Sequence, residues 1–438
     1  MSDLANQFQT ENLGVLATVR RGITYSTAML VERDSGIPYV NMKSFKKGGG
    51  FNWQGVKYYD GGFAQDDLAK ETDLLIVNTD VTPEGDIVGT PAFLPDELRK
   101  HAVLFSHHVT RLRLEERIDP EYLFYLLCTD GYRRWMLGSA RGTTVLMLDM
   151  AGIKRIPVTY HASRTTQKRI VSILQTIDQA IEKTEALIEK YQQIKAGLMN
   201  DLFTRGIGTD GKLRPPREQA PELYQQTPIG WIPKDWQFEF LDHLSQRGSG
   251  HTPDKNTASY WNGGVKWVSL ADSRKLDDLH ISDTDLEISV LGIQNSSAVL
   301  HSAGTVVMTR DAGVGKSAII TEPMAVSQHF MAWKCGEKIN NYFLYYWLQL
   351  NKRTFENVAM GSTIVTIGLP YFKKLKVAAP AVMSEQIEIG EKLKSADSHI
   401  QSLKSDLKKL KQQKSGLMHD LLTGKVSVQV AESEPEIA

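Results

Sequence analysis

The sequence predicts an α/β (α+β) fold in which two similar mixed α/β domains are each followed by a long helix. The string AGLMNDL at 196–202 returns as SGLMHDL at 415–421, an offset of 219 residues, which is half of the 438-residue chain. The same offset carries GTTV at 142–145 onto GSTI at 361–364, and Lys195 onto Lys414. A register kept over roughly 80 residues indicates two duplicated domains rather than a solenoid of short repeats. The expected architecture is therefore a pseudo-twofold tandem repeat.

The long helices are predicted by apolar residues that recur with strict 4,3 spacing from residue 170 and again 219 residues later. This spacing over more than three heptads is typical of a coiled-coil seam, so the two helices are expected to pack on each other within the chain. The alternative is that each helix packs only on its own domain. The predicted seam residues are Ile170, Leu174, Ile177, Ile181, Ile188, Ile389, Leu393, Ile400, Leu403, Leu407 and Leu410. Lys195 and Lys414 interrupt both seams at the same place, where a polar residue can fix register.

The domain boundaries follow from the composition between these helices. Gly206, Gly208 and Gly424 mark the ends of the helices, as glycines do at helix C-termini. Residues 209–229 are rich in Pro, Gln and charge without periodicity, which indicates a linker. We expect a first domain at 1–160, a first spacer helix at 161–208, a second domain at 230–380, a second spacer helix at 381–425 and a disordered tail at 426–438.

The two globular regions carry the same features in the same order. Short β-branched runs, LLIV at 74–77 and VVM at 306–308, lead into the polar strings NTD and TRD. An aromatic and apolar stretch that predicts a helix follows later in each region, from Tyr122 and from Tyr342. Both regions therefore look like one mixed domain with different loops.

Composition limits the classes of protein that fit. The chain is 41% hydrophobic and can bury two cores, and its 51 Lys and Arg balance its 51 Asp and Glu. Net neutrality excludes a protein coated in basic charge but leaves room for a basic cleft. Cys128 and Cys335 lie in apolar surroundings and offer neither a disulfide framework nor a zinc site. Without a signal-peptide pattern or a long apolar stretch, we expect a cytoplasmic protein with no membrane segment.

The search for catalytic motifs returns one deceptive string. GVGKS at 313–317 copies the end of a phosphate-binding loop, but Arg310 stands where the full pattern requires a glycine. The chain shows no adenine-methyltransferase loop, HExxH or GxSxG, so we expect neither catalysis nor a metal. His107 and His108 are adjacent, and side chains at that spacing diverge on a strand, which favours a structural or DNA-contacting role over metal ligation.

Loops with small, hydroxyl and basic residues are the features suited to a nucleic-acid backbone. Phosphate contacts supply affinity and register, while polar side chains at groove edges read bases. Lys46 and Lys47 can also be read as ordinary surface charge. The candidate DNA-binding residues are Lys43, Ser44, Lys46, Lys47, Asn78, Thr79, Arg141, Thr143, Thr144, Arg274, Arg310, Lys316, Ser317, Ser362 and Thr363.

Several strings resemble the specificity subunits of type I restriction-modification enzymes. They are KAGLMNDLFTRG and KSGLMHDLLTGK at the helix ends, IGWIPKDW at 229–236 and GTVVMTRDAGVGKSAI from residue 304, and the resemblance covers nearly the full chain. The first half departs from the pattern because QTENLGVLATV stands where the IGWIPxxW opening is expected.

The resemblance implies that the two domains are target recognition domains, each reading one half of a bipartite site in double-stranded DNA. The helices would form an intramolecular antiparallel coiled coil that serves as a spacer. That spacer would also seat two methyltransferase (modification) subunits, with restriction/translocase subunits outside. The chain itself would be non-catalytic and hold no cofactor, since S-adenosylmethionine, ATP and magnesium would be bound by its partners.

Helix length agrees with a spacer. A helix from about 166 to 203 spans roughly 55 Å at 1.5 Å per residue, which is about 16 base pairs of B-DNA. The rival interpretation is a coiled-coil assembly or adaptor protein that binds no DNA, and a cryptic nuclease or methyltransferase within the domains is a third. Salt-dependent, sequence-selective binding to a duplex separates the first interpretation from the second.

Overall fold

The computed structural model of the chain describes residues 7–82, 84–361 and 365–428. The chain divides into two compact units. Unit 1 comprises Met1–Lys183 and Leu407–Ala438, and unit 2 comprises Thr184–Asp406. Unit 1 therefore gathers the first domain and the two ends of the chain, whereas unit 2 is continuous.

Unit 1 combines thirteen short strands with five short helices and the start of a long helix. The strands are β1 (Phe8–Asn12), β2 (Ala17–Arg21), β3 (Leu30–Val31), β4 (Ile37–Val40), β5 (Lys57–Tyr59), β6 (Leu68–Ala69), β7 (Leu74–Val77), β8 (Thr79–Asp80), β9 (Pro91–Ala92), β10 (Val103–Phe105), β11 (Val109–Leu114), β12 (Leu146–Met147) and β13 (Pro157–His161). The helices are α1 (Leu13–Leu16), α2 (Asp96–Arg99), α3 (Pro120–Cys128), α4 (Asp130–Ser139), α5 (Met150–Lys154) and α6 (Arg164–Thr204), the last of which continues into unit 2.

The central strand β7 organises the core of unit 1. It belongs to a four-stranded sheet of order β2-β11-β7-β9, beside a five-stranded sheet of order β3-β5-β4-β10-β6. Leu74 and Ile76 pack in a cluster with helix residues such as Leu174, while Leu75 and Val77 pack in a second cluster with the five-stranded sheet. Because successive side chains of a strand point to opposite faces, the four-stranded sheet forms a middle layer between the helices and the other sheet.

Unit 2 has the same composition of elements. Its strands are β14 (Tyr224–Thr227), β15 (Gly230–Pro233), β16 (Trp236–Phe240), β17 (Gln246–Ser249), β18 (Trp261–Val268), β19 (His280–Ile281), β20 (Glu287–Ile288), β21 (Leu300–His301), β22 (Val306–Thr309), β23 (Ser317–Ile320), β24 (Met324–Val326), β25 (Phe330–Lys334) and β26 (Lys376–Pro380). Its helices are α7 (Leu241–Leu244), α8 (Val290–Gln294), α9 (Asn341–Leu350), α10 (Lys352–Val358), α11 (Leu369–Lys373) and α12 (Met383–Leu422), the last of which continues into unit 1.

The sheets of unit 2 repeat the topology of unit 1. The order β17-β25-β22-β23 corresponds to β2-β11-β7-β9, with β19 added at the edge. A parallel pair, β4 with β10 and β18 with β24, lies in the other sheet of each unit. A two-stranded ribbon, β1 with β13 and β16 with β26, joins the first and last strands of each domain. The prediction of two similar mixed α/β domains in tandem is confirmed.

The long helices run in opposite directions within each unit. In unit 1, the beginning of α6 and the end of α12 share one core cluster, represented by Ile170 and Leu421. In unit 2, the end of α6 and the beginning of α12 share another, represented by Phe203 and Ile389. The predicted antiparallel arrangement is therefore confirmed. All the predicted seam residues on both helices are buried or half-buried, whereas most of the positions between them are exposed.

A buried glutamine joins the first domain to α6. Gln167 is fully buried, and its Oε1 accepts a hydrogen bond from the Asp119 backbone N–H at 2.7 Å. Its Nε2 donates to the carbonyl oxygens of Arg117 at 3.1 Å and His161 at 2.7 Å. One side chain thereby satisfies three backbone groups of the domain.

Gln386, which lies 219 residues further on, repeats this contact in unit 2. It too is fully buried, and its Oε1 accepts from the Asn340 N–H at 2.9 Å. Its Nε2 donates to the carbonyl oxygens of Lys338 at 3.1 Å and Pro380 at 2.9 Å. We call each of these glutamines, with its three backbone partners, a glutamine clamp.

The segment expected to be a linker, 209–229, is ordered by contacts with unit 2. Strands β14 and β15 form a hairpin, and Tyr224 is buried. The Arg214 guanidinium is 9% exposed and forms ion pairs with Glu385 and Asp235, both at 2.6 Å. These contacts hold the segment on the start of α12, a role that composition alone does not reveal. In the tail, residues 426–428 are described, and Val428 packs partly on the core of unit 1; the rest of the tail, 429–438, lies outside the described residues.

Candidate nucleic-acid interface

Loops from three parts of the first domain meet at the end of β7. The Asn78 backbone N–H donates to the His108 carbonyl at 3.0 Å, and the Asn78 carbonyl accepts from Leu148 N–H at 2.8 Å. Strand β12, within the 141–147 loop, pairs with β8. The loop 43–50 joins this group because Lys47 forms an ion pair with Asp86. We call loops 43–50, 78–90, 106–108 and 141–147 the first loop surface.

The second domain builds the same junction with different residues. The Arg310 N–H donates to the His329 carbonyl at 2.8 Å, and the Arg310 carbonyl accepts from Ile367 N–H at 2.9 Å. Lys316 Nζ donates to the Ser273 carbonyl at 3.1 Å and so joins a further loop to the group. The described parts of loops 269–275, 310–316, 327–329 and 360–366 form the second loop surface. Two divergent sequences thus present loops on equivalent parts of one scaffold.

The basic residues predicted to bind DNA lie on these surfaces with different degrees of exposure. Arg310 and Lys316 are half-buried, and each donates to a backbone carbonyl of a neighbouring loop. Arg274 is exposed and forms an ion pair with Asp285 at 2.9 Å. Among the predicted residues of the first surface, the exposed ones are Lys43, Lys46, Lys47, Arg141, Thr143 and Thr144. The structure brings these predicted contacts together but does not test whether they touch DNA.

Four other predicted contacts are corrected by the structure. Ser44, Asn78, Thr79 and Ser317 are at most 2% exposed. Ser44 Oγ accepts from the Asn41 backbone N–H, Asn78 Nδ2 donates to the His107 carbonyl and Ser317 Oγ accepts from Gln349 Nε2. Short polar side chains near strand and helix ends often bond to neighbouring backbone in this way. They brace the loops from inside, out of reach of a duplex. Ser362 and Thr363 lie outside the described residues.

Arg21 is a surface residue that the sequence reasoning did not select. It is exposed, and its Nε donates to the His107 carbonyl at 2.6 Å. Partial burial is the main cause that lowers the pKa of His107 and His108, and the positive charge of Arg21 lowers both further. Both imidazoles are therefore neutral at pH 7. The Arg20-Arg21 pair in the sequence was the available signal, but its position beside the loops was not.

A chain of hydrogen bonds crosses the second surface and was also missed. Thr252 Oγ1 donates to Gln328 Oε1 at 2.5 Å, and Gln328 Nε2 lies 3.4 Å from His329 Nε2. Asp311 receives His329 Nδ1 at 2.8 Å and also the hydroxyl of Thr366. These side chains come from four separate segments, so their proximity could not be read from spacing. Amide and imidazole groups held in this way are suited to hydrogen bonding with base edges.

The chemistry available at both surfaces is recognition. No cluster of His, Cys, Asp and Glu within residues 7–82, 84–361 and 365–428 is arranged to hold a metal ion. Over the same ranges, no helix has the length and apolar character that crossing a bilayer requires. Exposed cations beside hydroxyl, amide and imidazole groups suit a polyanion whose edges also carry hydrogen-bonding groups.

Two copies of one domain, each presenting its own loop surface and each clamped to a shared pair of helices, define a two-site recognition protein. Residues 6–193 and 233–412 match the family model of the type I restriction modification DNA specificity domain. The chain belongs to this family, and the resemblance noted in the sequence is confirmed.

Specificity subunits from Methanocaldococcus jannaschii are among the relatives. The chain is 26% identical over 349 residues to the specificity subunit of the type I restriction enzyme MjaVIII, a match that covers 76% of each chain. It is 25% identical over 183 residues to the MjaIX specificity subunit, a match that covers 41% of this chain and 42% of that relative.

Two solved structures share the fold along nearly the whole chain. The S subunit of a type I restriction-modification system from M. genitalium aligns with a TM-score of 0.56 and 13% identity, covering 95% of this chain and 96% of that one. A chain from a study of assembly and conformational transition in the type I system aligns with a TM-score of 0.57 and 16% identity, covering 95% and 97%. At these identities the likeness establishes a common fold.

Proposed function

We propose that this chain is the DNA-recognition subunit of a type I restriction-modification complex and reads one half of a bipartite duplex target with each loop surface. The observation that carries this proposal is the duplication of the junction at the strand ends. The backbone hydrogen bonds of Asn78 and Arg310 are equivalent, while the side chains around them differ. A constant scaffold with two different surfaces suits two different half-sites.

The remaining roles are assigned to partners. Methyl transfer would be performed by two modification subunits with S-adenosylmethionine, and cleavage by restriction subunits with ATP and magnesium. The support for this division is family membership, together with the absence of catalytic motifs from the sequence. The chain itself would be non-catalytic, with its paired helices as spacer and scaffold.

Binding of the full chain to a pool of duplexes, at several salt concentrations, tests the proposal. Lys46 and Arg141 are exposed on the first loop surface, so replacing both with alanine should weaken binding. The slope of log K against log salt should fall by about 0.9 for each phosphate contact removed.

The matched control for this experiment is Lys100→Ala. Lys100 is exposed and lies just before β10, at the end of that strand opposite to His107. This variant should keep the slope of the parent. A parent chain that selects no duplex sequence, or binds equally well at high salt, would instead support an adaptor that binds no DNA.

A further inference from the structure

A carboxylate on α6 joins three elements of unit 1. Asp178 Oδ2 accepts a hydrogen bond from the Tyr125 hydroxyl of α3 at 2.8 Å. Its Oδ1 forms an ion pair with Lys414 Nζ of α12 at 2.6 Å. The ammonium group of Lys414 also lies 5.6 Å from the centroid of the Tyr125 ring. One recognition domain and both long helices therefore meet at a single group.

Unit 2 contains the same arrangement with the helices exchanged. Asp397 of α12 accepts from the Tyr346 hydroxyl of α9 at 2.8 Å and forms an ion pair with Lys195 of α6 at 2.5 Å. Lys195 Nζ lies 5.3 Å from the Tyr346 ring centroid. The lysines are the two residues that interrupt the apolar seams, so the structure supplies both with partners.

The surroundings make these contacts selective. Tyr125 is 5% exposed and Tyr346 is fully buried, and a buried phenol generally needs a hydrogen-bond partner. In each ion pair the two side chains are between 21% and 29% exposed. Partial burial reduces the screening that makes surface ion pairs weak.

An apolar seam alone leaves register underdetermined. Sliding one helix past the other by a heptad, about 10.5 Å, again places apolar residues opposite apolar residues. The same slide would separate Asp178 from Lys414 and leave the Tyr125 hydroxyl without its acceptor. Only one register satisfies all three groups, as with the polar seam residues that specify pairing in coiled coils.

We propose that Tyr125–Asp178–Lys414 and Tyr346–Asp397–Lys195 are register locks, whose residues position each recognition domain on the helices and thereby set the gap between the half-sites. The proposal rests on the proposed function. These residues act through the domains they hold and do not contact bases. A lock that fails should therefore blur the gap that is recognised while leaving each half-site sequence unchanged.

Selection by the full chain from duplexes whose half-sites are separated by gaps of different length tests the locks. The readout is the ratio of binding at the preferred gap to binding at a gap one base pair longer or shorter. Asp178→Lys and Lys414→Asp should each lower this ratio by about tenfold, within the range of coupling seen for residues of one ion-pair network. The exchanged pair, Asp178→Lys with Lys414→Asp, should recover most of the ratio.

The control is Leu123→Ala on α3, the helix that carries Tyr125. Leu123 is fully buried in the same core cluster, so its truncation should destabilise the domain without changing the gap ratio. Single lock variants that behave like Leu123→Ala, with lower stability but an unchanged gap ratio, would overturn the proposal.

Thermal unfolding of the same variants separates the two hypotheses. If the parent chain selects no duplex, the proposed function fails, and the locks are judged by melting alone. Recovery of the melting temperature in the exchanged pair would then support the locks as register devices. Losses that add up in the exchanged pair would refute them.

Discussion

Gln167→Leu should destabilise unit 1 far more than an ordinary substitution on α6. Leucine has a similar size but can neither accept from the Asp119 N–H nor donate to the carbonyls of Arg117 and His161. Because Gln167 is fully buried, water cannot replace these partners. The glutamine clamp would therefore lose three hydrogen bonds at once.

The magnitude follows from the number of groups left without partners. Each unsatisfied buried donor or acceptor costs about 1–3 kcal/mol, so the loss should be about 3–6 kcal/mol after some relaxation. For a unit of this size, about 2–4 °C per kcal/mol predicts a melting temperature lower by roughly 10–15 °C. Differential scanning calorimetry of the full chain measures the shift, which should appear in the transition of unit 1.

Two further variants sharpen the measurement. Gln179→Leu makes the same chemical change at an exposed position of α6 and should leave the melting temperature nearly unchanged. Gln386→Leu should reproduce the large loss in unit 2, because its three contacts are equivalent. If Gln167→Leu melts like Gln179→Leu, the clamp contributes no net stability and the reasoning from buried backbone groups is wrong.

Two predictions concern the division of labour between domains and helices. Replacing residues 230–380 with the corresponding domain of another family member should change one half of the recognised sequence and keep the other; methylome sequencing checks this, and a change in both halves would contradict independent readout. Inserting seven residues near Glu189 and seven near Lys408 keeps both seams and adds about 10.5 Å, so the unread gap should grow by about 3 base pairs. An unchanged gap in a folded, DNA-binding variant would show that the helices do not set the distance.

The repeated fold could be predicted because duplication and periodicity are visible in one dimension. The 4,3 spacing located the long helices, and the matching runs at 74–77 and 306–308 located the central strands. The lock lysines and aspartates also repeat at an offset of 219. Their tyrosines repeat at 221, so the common register passed over Tyr125 and Tyr346.

The loop surfaces could be predicted only in part, because exposure depends on which way a loop turns. Lys46 and Ser44 are close in sequence, yet Lys46 is exposed while Ser44 is buried in a helical cap. The cluster around His329 was invisible because its members come from distant segments. The segment 209–229 resembled a linker because its anchor, Arg214, finds its carboxylates far along the chain.

The glutamine clamps have a consequence for how new specificities arise. Each clamp grips its domain only through main-chain N–H and carbonyl groups, which every non-proline residue provides. Docking therefore imposes no side-chain identity on the domain at those contacts. A recombination event that brings in a foreign domain with the same backbone path would find its socket already complete, so a cell can acquire a new target sequence without having to change the helices that receive it.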